Sequence, residues 1–79
     1  MPQAIREIDL HGKNRYQAQI SIEAALRRSY GVYVLRLIHG FHRGTSLADF
    51  IEATYREDPR VLQLEHPYPG ATDLVLRRL

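Results

Sequence analysis

Cysteine and tryptophan are absent from this 79-residue sequence, and methionine occurs once. Without cysteine there are no disulfide staples, no thiolate zinc sites and no thiol nucleophile. The same absence fits a cytoplasmic location, where disulfides are rare. No apolar run approaches the roughly 18 residues of a membrane span, and no signal peptide opens the chain, so no membrane partner is expected. Lysine is nearly missing too: ten of the eleven basic residues are arginine. A guanidinium group binds phosphate through a planar fork and stacks on bases, which an ammonium group does not. The net charge of +2 is small. Together with the arginine bias, it makes nucleic acid a natural partner class. A chain of this length has room for one domain, 1–79, and a monomer is expected. Such a domain buries only about 60–65% of the surface exposed by its unfolded chain, so the core is modest.

Periodicity supplies the elements. Ala4 to Leu10 alternates, with Ile8 and Leu10 to one side and Glu7, Asp9 and His11 to the other, as in a strand with one buried face. Asn14 then stands as a helix N-cap, and Gln17 completes a capping box. Ala18, Ile22, Ala25, Leu26 and Ser29 form one helical stripe. Val32 to Ile38 is β-branched, aromatic and almost continuously apolar, which suits a strand with neighbours on both edges. Thr45 or Ser46 caps a second helix with the stripe Leu47, Phe50, Ile51 and Thr54, and it ends by Asp58, before Pro59. Tyr30, Tyr33 and Tyr55 are placed at the edge of the core. Val61 to Glu65 is a third strand, Pro67 to Gly70 a turn, and Leu74 to Leu79 a closing strand.

The order βαβαββ describes an α/β two-layer sandwich, a four-stranded mixed sheet with two helices on one face. Right-handed crossovers make the first three strands parallel, and the last runs antiparallel beside the third. Two sheet orders satisfy these rules. In 1-2-4-3 the last strand fills the slot left by the second crossover; the alternative is 1-2-3-4.

Ligands of parallel sheets collect beyond the carboxyl ends of the strands. The first strand ends at Asp9-Leu10-His11-Gly12, and the second at His39-Gly40. If these strands are neighbours, two His-Gly corners share one rim. Their glycines let the backbone turn sharply and let a ligand come close. Lys13 and Arg43 lie in the rim loops, and the second helix presents free N–H groups there.

These residues resemble the Smr, or small MutS-related, domain family. Ile8-Asp9-Leu10-His11-Gly12 is a conservative variant of its Leu-Asp-x-His signature. His39-Gly40-Phe41-His42-Arg43-Gly44 is similar to its His-Gly-x-Gly signature, with His42 at the second glycine and a later glycine kept as Gly44. The likeness spans nearly the whole chain, and it favours the order 1-2-4-3. It implies nicking of DNA or cleavage of RNA, and a chain of the short stand-alone kind.

On that basis Asp9, His11 and His39 are the candidate catalytic residues. Asp9 and His11 share a strand face, where a carboxylate orients an imidazole for general acid–base chemistry. Gly12, Lys13, Arg15, Gly40, Phe41, His42, Arg43, Gly44 and Thr45 are the candidate contacts to nucleic acid, DNA or RNA. Asp9, His11 and His39 are also compatible with a divalent cation, but three ligands make a thin set and no metal ligand is assigned. Phe41 and Tyr68 are aromatics able to stack on bases. Residues 68–72 are expected at a hairpin opposite the rim, and His66 is taken as structural. A binding module that docks on nucleic acid or a ribosomal surface without cleaving is the second expectation.

Overall fold

The computed structural model describes residues 4–40 and 46–78. Six elements follow in order: β1 (Ile5–Asp9), α1 (Arg15–Arg27), β2 (Val34–Ile38), α2 (Ser46–Tyr55), β3 (Gln63–Glu65) and β4 (Ala71–Val75). The sheet order is β1-β2-β4-β3. β1 and β2 are parallel, whereas β4 runs antiparallel to both β2 and β3. The expected topology is therefore the observed one. The closing strand, however, starts at Ala71, directly after the turn, and ends at Val75. Strand pairing explains the shift: Ala71 to Val75 matches Ile38 to Val34 residue for residue.

Local chemistry accounts for α1. Asn14 accepts the Gln17 N–H at 2.8 Å, and the Gln17 side chain accepts the Asn14 N–H at 3.0 Å, so the capping box is formed. Two otherwise unpaired donors of the first turn are satisfied in this way. Ala18, Ile22, Ala25 and Leu26 of α1 are buried, as their spacing requires.

The core lies between the helices and one face of the sheet. Leu10, Leu35, Leu37 and Leu74 from the sheet side meet Ile22 and Leu26 of α1 and Ile51 and Tyr55 of α2. Leu47 and Phe50 pack partly buried against this cluster. Tyr55 is no edge residue: it is among the largest fully buried side chains. It follows Ile51 by four positions, so it continues the same helical stripe. Tyr30 corrects the expectation in the opposite sense, because it is almost fully exposed.

Tyr55 also carries the main polar tie between the helices. Its hydroxyl donates to Glu23 Oε2 at 2.8 Å. Arg60 donates two bonds to the same carboxylate, both at 3.0 Å, and others to Asp58. Burial, followed by the neighbouring Glu23 acceptor, pushes the Tyr55 hydroxyl far above its ordinary pKa. Arg60 holds the Glu23 and Asp58 carboxyls below theirs.

Among the described residues no helix covers the sheet's other face. Glu7, Arg36, Asp73 and Glu65 line up across it, one from each strand, at paired register positions. Arg36 grips Asp73 through two N–H donors at 2.9 and 3.0 Å. No helix among the described residues is long and apolar enough to cross a membrane.

Candidate functional site

β1 and β2 end at the same rim, side by side. Asp9 pairs with Ile38 in register, and the Leu10 N–H donates to the Ile38 carbonyl at 2.7 Å. The two His-Gly corners are thus neighbours. Gly12 has φ 81 and Gly40 has φ 78, the left-handed region that favours glycine. A Cβ at either place would meet nothing within 4 Å, so backbone conformation, not crowding, calls for glycine there.

Asp9 and His11 form a bonded pair. His11 Nδ1 lies 2.7 Å from Asp9 Oδ1, which also accepts the His11 backbone N–H at 3.1 Å. An ionised carboxylate only accepts, so the ring proton sits on Nδ1 and a neutral ring keeps its lone pair on Nε2. Both side chains are exposed. The His11 side chain, and then its backbone N–H, hold the Asp9 carboxyl below its usual range by hydrogen bonding. This is the local geometry of an oriented general base.

His39 occupies a different place. Its Nδ1 lies 2.7 Å from the Gly40 carbonyl oxygen, and its Nε2 lies 2.9 Å from Thr72 Oγ1. The carbonyl fixes the proton on Nδ1, so Nε2 of the neutral ring accepts the Thr72 hydroxyl. Thr72 is only 1% exposed, and His39 satisfies a polar group that burial would otherwise leave costly. Both His39 nitrogens are engaged, which removes them from a shared metal site with Asp9 and His11. Among the described residues no group of three or more His, Asp or Glu side chains is gathered as a metal ion requires.

Two hollows meet at the rim. One, of about 350 Å³, is lined by Asp9, His11, Ile38, Gly40, Tyr68, Pro69 and Gly70. The other, of about 510 Å³, has His39, Ala48, His66, Tyr68 and Thr72 in its wall. Strand alternation explains the division. Ile38 pairs with Asp9 and shares its face, so His39, one residue on, turns to the α2 side. That signal is present in the sequence once the register of β1 against β2 is known.

The 68–72 segment belongs to this rim, not to an opposite hairpin. β3 runs in the direction of β1 and β2, so the turn after it returns to the same edge. The Gly70 carbonyl accepts the N–H groups of both His39 and Gly40, at 2.9 and 3.0 Å. His66 approaches Glu52 of α2 at 3.4 Å from its position beside the second hollow.

Gly12, Lys13 and Arg15 follow directly on the Asp9–His11 corner and are exposed. Arg15 is the first residue of α1, and the first turn holds no acidic residue. The helix dipole disfavours a cation at this end, so Arg15 is placed there against local stability. Phe41, His42, Arg43, Gly44 and Thr45 lie outside the described residues.

Neither a protein-family model nor a curated protein sequence matches the chain. A solved structure does. The Smr domain of Thermus thermophilus MutS2 is 31% identical, superposes with a TM-score of 0.81, and is matched over 92% of this chain and 99% of its own. Shared topology, near-complete coverage both ways and this level of identity place the chain in the Smr domain family.

Proposed function

We propose that the chain binds nucleic acid and cleaves phosphodiester bonds at the Asp9–His11 corner. The observation that carries this reading is the exposed Asp9–His11 pair, bonded at 2.7 Å beside an open hollow. In the reaction, His11 Nε2 takes the proton of the attacking hydroxyl, from water or from a ribose 2′-OH. The new O–P bond forms as the leaving P–O bond breaks, and the departing oxygen is protonated from solvent. Asp9 keeps the ring in the required tautomer and balances the charge that develops on it. His39 acts as a positioning residue, tying the end of β2 to Thr72. Lys13 and Arg15 neutralise the phosphates beside the corner. Phe41, His42, Arg43, Gly44 and Thr45 would complete the loop contacts. Smr membership supports the same reading, since the family is associated with endonuclease activity.

A second reading is a module that binds nucleic acid without cleaving it. The full engagement of His39 favours it, because His11 is then the one imidazole of the pair with a nitrogen left for proton transfer. Incubation with nicked, branched and single-stranded DNA and RNA, with and without divalent cations, separates the two. Cleavage by the wild type that disappears in His11→Ala supports the enzyme. Binding with no cleavage of any substrate supports the module.

A further inference from the structure

Tyr68 is the residue of the rim that this reading leaves without a task. It stands in the β3–β4 turn between Pro67 and Pro69 and is 45% exposed. It lines the hollow of Asp9 and His11, and also the hollow of His39. Its ring is backed by a fixed cation: the Arg36 guanidinium carbon lies 5.8 Å from the ring centroid. Arg36 is clamped in turn by Asp73, which is its register partner on β4 and only 4% exposed. A guanidinium over one face of an aromatic ring is an attractive contact. The adjoining prolines restrict the backbone of the turn. The ring is therefore ordered before any ligand arrives, which lowers the entropic cost of binding to it.

We propose that Tyr68 is a stacking platform for an unpaired nucleobase next to the phosphate at the Asp9–His11 corner. The inference rests on the reading that the partner is nucleic acid, and it narrows that partner. Bases inside a duplex are stacked on one another and offer no free face. An unstacked base does, and aromatic side chains recognise it there with little regard to sequence. The site thus takes strands with at least one unpaired nucleotide: single strands, loops, flaps or junctions.

Fluorescence anisotropy with a labelled single-stranded oligonucleotide and a blunt duplex of the same length tests this. Tyr68→Ala should weaken single-strand binding about five- to hundredfold, the scale of one stacked base, and change duplex binding less than about twofold. Tyr68→Trp should restore the single-strand affinity. The salt dependence of binding should stay the same in Tyr68→Ala, because stacking removes no phosphate contact. Equal losses on both ligands, or no rescue by Trp, would assign Tyr68 a merely structural role and overturn the proposal. If the wild type binds single strands and Tyr68→Ala binds them as tightly, the platform alone is refuted. If the wild type binds neither ligand at low salt, the nucleic-acid reading and the platform fall together.

Discussion

Asp9 and His11 are bonded to each other at the end of a strand, but neither is buried in the core. Asp9→Asn and His11→Ala should therefore leave the denaturation midpoint near that of the wild type, while removing any cleavage if the proposed assignment holds. Thermal unfolding followed by circular dichroism, beside the cleavage assay, checks both halves. Hydrogen bonds from His11 lower the Asp9 pKa, so the carboxylate that accepts the ring proton stays ionised below its ordinary range. The proximity of the pair was legible in the sequence, but its geometry is that of a turn: β1 ends at Asp9, and the Asp9 side chain accepts the backbone N–H of His11 just beyond it. The place of His39 was not legible, because it depends on strand register. Asp9 aligns with Ile38, and that one-residue offset sends the His39 ring to Thr72 on the other side of the sheet.

Elements are held to each other by ties of longer range. The capping box of α1 was readable because its partners lie three residues apart. The union of α1 with the segment after α2 was hidden, since Glu23 and Arg60 are 37 residues apart in the chain. Tyr55 was equally hard to place. A tyrosine at the end of a helical stripe suits the core only if its hydroxyl finds a partner, and Glu23 is that partner. Tyr55→Phe removes one hydrogen bond to a charged acceptor while the ring stays packed. It should lower the unfolding free energy by about 1–3 kcal/mol, as read from urea denaturation. A variant as stable as the wild type would mean that Arg60 alone satisfies Glu23.

At the scale of the whole molecule, charge sets two responses. Glu23 and Asp58 have folded-state pKa values below the ordinary 4.5 and 3.8, chiefly through Arg60. Each contributes its full stability above the ordinary value and loses it as pH falls through the depressed one. Stability should thus decline below about pH 4.5, and Arg60→Gln should flatten that decline in urea titrations taken across the acid range. The second response is to salt. Net charge is +2, and among the described residues Lys13 and Arg15 are exposed just after the Asp9–His11 corner. The slope of log K against log salt for nucleic-acid binding should be shallow, on the order of −2 to −4. Affinity that ignores salt would point to a partner of another kind. The sheet order itself was open to two solutions on handedness alone. The observed order puts β4 between β2 and β3, where it pairs along both edges.

That placement has a consequence for how the molecule is made. Of the four strands, β4 is the last to be synthesised, yet it occupies an interior position in the sheet. Chains are synthesised from the N-terminus, and long-range strand pairing is slow. Before β4 is made, β2 has only β1 as a possible sheet neighbour, the N–H groups of His39 and Gly40 lack the Gly70 carbonyl, and His39 has no Thr72 to hold. A nascent chain thus carries Asp9 and His11 early and the wall of their hollow late. The hollow beside Asp9 and His11 is finished only when β4 takes its place, so a chain interrupted before β4 carries the bonded pair without the wall that encloses it.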